Sequence, residues 1–351
     1  MVKDGLNQGF DANGSRKPRA AILGTRGNKF VRAMYSEAAR RRISELFDLY
    51  PKCITEEDVV SDLIDVGEFE VLFATWGVPV LDSRQVAKFT RLKHIFFGAG
   101  SIKHFGLPFL EAGVTISSSK ATNARIVADF CLGQILLATK RYFQNVAGYN
   151  SYQAGVELKE KLHDFPGHCG SRIGLIGCGK ISRFLIGHLG ERDFEISVMD
   201  PFLSDEESEK LGVRKVNLET LFEECDVVSN HLPNLPHLKG VLNGQLFSRM
   251  KQGATFMNTG RGAQIQESEL LEVMQRRADL VALLDVTDPE PPEVDSKLYS
   301  QSNILLSSHI AGCVGREVHM LIDEAIESSR KWLKGDPLDN LESLEQFDLI
   351  A

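Results

Sequence analysis

The strongest constraint on the fold is a strand-turn-helix cassette near the middle of the chain. An apolar run at 172–176 enters Gly177-Cys178-Gly179-Lys180-Ile181-Ser182, and a helix-period segment follows. Glycine at the first turn position permits a sharp reversal, and glycine two residues later lets the backbone approach an anion at the helix N-terminus. At the third small position of this pattern stands Ser182, small enough for helix and strand to pack closely. A second apolar run at 195–199 ends on Asp200, eighteen residues after Ser182. A carboxylate there suits two ribose hydroxyls and repels a 2′-phosphate. Pro201, Phe202 and Leu203 follow it, so no arginine comes directly after to accept that phosphate. A glycine turn alone is common in ordinary strand-to-helix connections; strand, turn, helix, strand and acid in register point to a dinucleotide, with NAD preferred over NADP.

The wider pattern extends this cassette in both directions. Short apolar runs at 19–24, 70–74, 93–97 and 114–117 alternate with helical stretches, and a second set follows at 172–176, 195–199, 226–231, 254–258, 280–285 and 303–306. Alternation of this kind predicts an α/β protein, and 351 residues exceed one ordinary core. The expectation is two doubly wound parallel-sheet domains. A helix at 123–150, apolar nearly all round, is expected to be buried between them. The helix at 316–333, ended by Gly335 and Pro337, has no strand expected after it and is expected to return to the first domain. Residues 19–122 plus 316–351 then form a discontinuous substrate domain and 123–315 a nucleotide domain. The polar segment 1–18, rich in Gly, Asn and Asp, reads as a disordered leader.

Composition removes several classes of function. A net charge of −8 opposes a nucleic-acid footprint. The basic run Arg40 to Arg42 reads as a solvated helix face. No window is long and apolar enough to span a bilayer, so no membrane partner is expected. The six cysteines show no CxxC pair and no zinc spacing, so no metal is expected and the thiols read as reduced in a cytoplasmic protein. Cys178, inside the glycine turn, reads as a neutral filler rather than an oxidation-sensitive thiol, the other reading of that position.

Three polar residues stand where strand-like runs give out. Arg261 lies just past the run ending at Asn258, Glu290 past the run ending at Asp285, and His309 closes the stretch beginning at Asn303. In doubly wound sheets, ligands bind outside the carboxyl ends of the strands, so all three are expected on one rim. Singly, a surface arginine, a solvated loop carboxylate and a structural histidine are the commoner explanations. Together, on a dinucleotide-binding sheet, they are the parts of a site that binds a carboxylate and moves a proton.

From about Arg19 onward the chain resembles the D-isomer-specific 2-hydroxyacid dehydrogenases. The resemblance is carried by Gly98-Ala99-Gly100, Asn123 with Val127-Ala128-Asp129, the Gly177 to Ile181 turn, Asp200, Asn230-His231-Leu232-Pro233, Asn258-Thr259-Gly260-Arg261, Leu284 to Glu290, and Ser308-His309-Ile310-Ala311-Gly312. It implies a flavodoxin-like substrate domain and a Rossmann NAD-binding domain. It implies a 2-oxo or 2-hydroxy acid as small-molecule substrate, its carboxylate held by Arg261 and the amides of Gly98 to Gly100. His309 would be the acid/base, and Glu290 would orient the imidazole and favour its protonated form. Lys180, Ile181, Asp200, His231, Pro233, Thr259, Gly260, Asp285 and Gly312 would line NAD. The resemblance also implies domain closure and a homodimer formed through the cofactor domain.

Departures from the family pattern concentrate on the substrate side. Ser182 replaces a glycine, Ser308 a proline and Leu235 a threonine. Gly100 is followed by Ser101-Ile102-Lys103 rather than the usual Asp-Asn pair, and Trp76 stands where a polar substrate contact is common. Trp76 therefore suggests a bulkier or more apolar substrate, with core packing as the other reading. A formate-type enzyme is disfavoured, because its histidine pairs with Gln where this chain has Glu290. An NAD-regulated corepressor-like scaffold of the same fold is the alternative from another functional class, and the chain shows neither a peptide cleft nor a long interaction tail.

Overall fold

The computed structural model describes residues 16–345 and residue 347. These form two compact units, one from the residues up to Asn123 and from Cys313 onward, the other from Ala124–Gly312. The leader expected at 1–18 lies outside the described residues as far as residue 15. Within its remainder, Lys17 donates to the Ser44 carbonyl at 2.8 Å and the Pro18 carbonyl accepts from Asp48 N–H at 3.0 Å, so this end is tied to the first unit.

The first unit is built on β1 (Arg19–Leu23), β2 (Asp48–Ile54), β3 (Val71–Ala74), β4 (His94–Phe97) and β5 (Thr115–Ser118). They lie in the parallel order β5-β4-β3-β1-β2, the flavodoxin-like arrangement. A short strand, Leu341–Glu342, joins β5 antiparallel, which corrects the expectation that no strand follows the C-terminal helix. The strand at β2 was also not expected. Its Pro51 and Lys52 interrupt any apolar run, a composition tolerated because β2 is an edge strand. The strands β3 and β4 are fully buried and feed two layers. Leu72, Ala74, Ile95 and Phe97 pack on one face, while Phe73 and Phe96 pack on the other, with Phe47 edge-on to Phe73. The C-terminal helix Val318–Lys334 covers that second face, with Trp332 edge-on to Phe96 at 6.3 Å. Its amphipathic pattern is thus satisfied within the first unit.

The second unit contains β6 (Ser171–Ile176), β7 (Phe194–Met199), β8 (Arg214–Lys215), β9 (Val227–Asn230), β10 (Thr255–Asn258), β11 (Val281–Leu284) and β12 (Ile304–Leu306). All pair in parallel, in the order β12-β11-β10-β9-β6-β7-β8. The order reverses between β6 and β9, the switch point at which such sheets open a crevice. Both faces are covered: Ile173, Leu175 and Val198 contribute to one core and Ile176, Phe222, Phe247 and Phe256 to the other. Each buried phenylalanine contributes about 1.5–3 kcal/mol.

The helix expected at 123–150 is two helices. Lys120–Ala138 stops before Arg141, whose φ of +50° is left-handed, and Tyr142–Gly148 continues in a new direction. Arg141 is held there by tertiary contacts, its guanidinium 4.9 Å from the Phe165 ring and donating to the Gln252 carbonyl at 3.3 Å. The first of the two helices is also not buried all round, because Leu137 is exposed.

Candidate active site

The cassette at the end of β6 folds as its glycines require. Gly177 adopts a φ of +88°, and a Cβ there would stand 3.2 Å from the His231 carbonyl oxygen. Gly179 is the N-cap of the helix Lys180–Gly190; no side chain caps its amides, and a Cβ at Gly179 would meet nothing within 4 Å. An open space faces the positive end of the helix, as a pyrophosphate needs. Ser182 is fully buried and donates its hydroxyl to the Gly177 carbonyl at 2.5 Å. The serine therefore closes the turn with a bond that glycine cannot make.

Asp200 ends β7 beside this turn. Its carboxylate accepts from the Cys178 N–H at 2.6 Å and from the Phe202 N–H at 2.8 Å. A carboxylate offers about four acceptor positions, so two remain for ribose hydroxyls. The cradle, the uncapped helix and this carboxylate fit a dinucleotide. Cys178 is buried, and desolvation pushes its thiol pKa up.

Behind the crevice, polar side chains hold the loops that follow β9 and β10. The imidazole of His231 lies between the Ser229 hydroxyl at 2.9 Å and the Thr259 hydroxyl at 3.3 Å, and burial pulls its pKa down to about 4. It is buried as a core histidine in the neutral form. Asn230 donates to Asn258 Oδ1 at 2.9 Å and to Gln264 Oε1 at 2.6 Å, while Gln264 donates to the carbonyls of Leu232 and Pro233. Asn258 in turn donates to the Arg261 carbonyl at 3.0 Å and accepts from the Gly260 N–H at 3.0 Å. This amide network sets the course of the loop carrying Thr259, Gly260 and Arg261. Gln264 was not among the expected site residues; its one sequence signal is a buried-type amide three residues after the arginine.

The trio itself is assembled in part by direct contact. His309 Nδ1 lies 2.7 Å from Glu290 Oε1, and both side chains remain nearly half exposed. Arg261 is half-buried; desolvation lowers its guanidinium pKa from the usual value, and the Glu290 charge opposes that shift. Its Nη1 donates to the Gly260 carbonyl at 2.8 Å. His309 has a left-handed φ of +57°, a region a non-glycine residue enters at a cost. Asp285 holds it there. The Asp285 carbonyl accepts from His309 N–H at 3.0 Å, and its carboxylate accepts from Ser307 Oγ at 2.6 Å and from Ile310 and Ala311 N–H at 2.9 Å each. Three acceptor positions are thus used, which leaves about one for a further ligand. Ser307 is a second residue that the sequence did not single out.

In the first unit, the loop after β4 places Gly98 where a Cβ would stand 2.6 Å from Ile322 Cδ1, so any larger residue would displace that side-chain end. Ala99 is buried, Gly100 is half-buried, and the Gly98 carbonyl accepts from Thr75 Oγ1 at 3.0 Å. Trp76, after β3, is half-buried and edge-on to Phe30 at 5.6 Å. Among the described residues no helix is long and apolar enough to cross a membrane, and no group of three or more His, Cys, Asp or Glu could hold a metal ion.

Comparison with known proteins identifies the family and the fold. Residues 134–311 match the family model for the D-isomer specific 2-hydroxyacid dehydrogenase, NAD binding domain. A D-3-phosphoglycerate dehydrogenase from Archaeoglobus fulgidus is 31% identical over 68% of this chain and 45% of its own length. The chain thus spans about half the length of that relative. The crystal structure of apo D-mandelate dehydrogenase from Rhodotorula graminis aligns with a TM-score of 0.75 at 21% identity, over 93% of this chain and 98% of that one. A phosphoglycerate oxidoreductase from Rhizobium etli aligns with a TM-score of 0.74 at 22% identity, again over 93% and 98%. The two structures share the fold, the family match covers most of the nucleotide-binding unit, and the chain belongs to the D-isomer specific 2-hydroxyacid dehydrogenase family.

Proposed function

We propose that this protein interconverts a 2-oxo acid and a D-2-hydroxy acid with NAD as the redox partner. The observation that carries the proposal is the 2.7 Å His309–Glu290 contact, within electrostatic range of Arg261 and on the unit that holds the Gly177 turn. When bound, the reduced nicotinamide supplies a hydride to the substrate carbonyl carbon. Arg261 binds the substrate carboxylate, its planar fork serving two oxygens together. Glu290 accepts the hydrogen bond from Nδ1 of His309, so Nε2 is the atom that gives up a proton to the developing alkoxide. In oxidation the neutral imidazole takes the same proton back at Nε2.

Around this chemistry, Gly177, Gly179, Lys180 and Ile181 would cradle the pyrophosphate and Asp200 would bind the ribose. His231 to Pro233 would wall the adenosine through their backbone, and Thr259, Gly260, Asp285 and Gly312 would line the nicotinamide half. Gly98 to Gly100 and Trp76 are the proposed substrate contacts of the first unit. Exposed apolar side chains on neighbouring helices of the second unit, Leu137, Tyr142, Val146, Tyr149 and Tyr152, suit the homodimer. The six cysteines are scattered and four of them are buried, which suits a reducing cytoplasm.

The decisive test is turnover. Purified protein with NADH should reduce at least one of glyoxylate, hydroxypyruvate, pyruvate, 2-ketoisocaproate and phenylpyruvate. NADH binding without reduction of any of them would overturn the dehydrogenase assignment and favour an NAD-regulated scaffold.

A further inference from the structure

Asp200 explains only part of why a 2′-phosphate would be refused. No arginine follows it in sequence, but the fold brings one to it. Arg183, in the first turn of the helix Lys180–Gly190, donates from Nε to the Cys178 carbonyl at 3.0 Å, and the N–H of that same residue bonds Asp200 at 2.6 Å. A guanidinium therefore lies at the ribose end of the cassette, one residue removed from the carboxylate. One of its two terminal nitrogens is engaged there, because Nη1 donates to Glu207 Oε1 at 2.7 Å. Glu207 belongs to the helix Asp205–Leu211 that follows β7, so the ion pair ties together the two segments that flank Asp200.

The pair has little to do with holding the fold. Its side chains are 41% and 40% exposed, and ion pairs at such surfaces contribute about 0–1 kcal/mol. Its geometric effect is larger, since it fixes the direction of the guanidinium and neutralises it. The neighbouring cations are engaged in the same way, Lys210 by Glu206 and Lys215 by Asp205. The Arg183 guanidinium responds to Glu207, Cys178 and Asp200, which places all of them in one electrostatic neighbourhood.

We propose that Glu207 is a cofactor-specificity residue: it withholds from a 2′-phosphate the Arg183 guanidinium that the fold has placed beside Asp200. Two devices then act together. Asp200 repels the phosphate, and Glu207 occupies the cation that would have attracted it. The inference rests on reading the Gly177 turn as a dinucleotide site.

The test is calorimetric titration of the full chain with ADP, adenosine 2′,5′-bisphosphate, NADH and NADPH, which needs no turnover. Wild type should bind ADP and NADH and discriminate strongly against the 2′-phosphorylated pair. Asp200→Ser, which removes the charge beside the turn, should narrow that gap. Adding Glu207→Gln should tighten adenosine 2′,5′-bisphosphate by a further factor of about ten, as one released charge-assisted phosphate contact predicts. Arg183→Met in the double variant should abolish that extra factor. Glu207→Gln alone changes only an exposed pair and should give a smaller gain in the same direction. If the double variant matches Asp200→Ser, or the gain survives Arg183→Met, Glu207 has no such role. If wild type binds neither ADP nor NADH, the dinucleotide reading fails and this inference with it; NADH binding without the Glu207 effect sinks the inference alone.

Discussion

Replacing Asp285 by alanine should loosen the loop that carries His309, and the structure sets the size of the effect. The carboxylate is 3% exposed and accepts from one hydroxyl and two backbone amides. Hydrogen bonds to a charged acceptor contribute about 1.5–3 kcal/mol each. Ile310 beside it is 42% exposed, so water can reach part of the vacated site and recover some of that loss. A net cost of about 3–4 kcal/mol follows, larger than the roughly 1–2 kcal/mol that the left-handed backbone of His309 requires. Without the clamp, the strained conformation loses its support. For a unit of this size each kcal/mol lowers the melting temperature by about 2–4 °C, which gives a drop of roughly 6–16 °C. Ser307→Ala removes the hydroxyl donor alone and should cost about 0.5–1.5 kcal/mol. Thermal melts by circular dichroism measure both, and turnover of any Asp285→Ala protein that remains folded should fall further than its melting temperature implies. An Asp285→Ala protein melting within about 2 °C of wild type, or no lower than Ser307→Ala, would refute the clamp.

Three further outcomes are expected. Arg261→Ala should weaken 2-oxo acid binding by about a hundredfold, the worth of a bidentate charged contact, while NADH binding largely survives; equal loss of both in parallel titrations contradicts the assignment. His94 and His231, with folded pKa values of about 3 and about 4 against 6.5 for an unburied histidine, are buried in the neutral form. The unfolded chain takes up protons that the folded chain refuses, so their stabilisation is complete above pH 6.5. It is lost as pH falls towards 4 and then 3, at about 1.4 kcal/mol per pH unit for each group. Urea midpoints between pH 7 and 5 should show that slope, and His94→Gln should flatten it; an unchanged slope would remove His94 from the account. Tyr149→Glu with Tyr152→Glu, both on exposed side chains, should convert the proposed dimer to monomer in light scattering without lowering the melting temperature of the monomer.

The sequence was most legible where burial is two-sided. Strands such as β3, β4, β9, β10 and β11 are buried throughout, and their apolar runs mark them. The edge strand β2, with Pro51 and Lys52, carries no such run, and Leu341–Glu342 is too short to show a period. The break at Arg141 lacks glycine or proline because contacts with Phe165 and Gln252, distant in sequence, impose it. At the candidate site, Arg261, Glu290 and His309 could be picked out as candidates because charged groups at strand ends are conspicuous. Gln264, Ser307 and the Ser182 hydroxyl could not, since each acts through a bond to backbone or to a buried partner that only the folded loop creates. Arg183 was hidden for the same reason: it lies before Asp200 in sequence and reaches it through the turn.

The chain path of the first unit has a consequence for synthesis on the ribosome. Its sheet is closed by Leu341–Glu342 against β5, and the Asn340 side chain donates to the Ser118 carbonyl at 2.9 Å across more than two hundred residues. The second unit, contiguous over Ala124–Gly312, has all its strands available as soon as it has emerged. The first must wait for the C-terminal helix before the face holding Phe96 and Gly98 is covered. Nascent chains arrested before residue 318 should therefore present a nucleotide-binding unit already resistant to protease, attached to a first unit that is still cleavable.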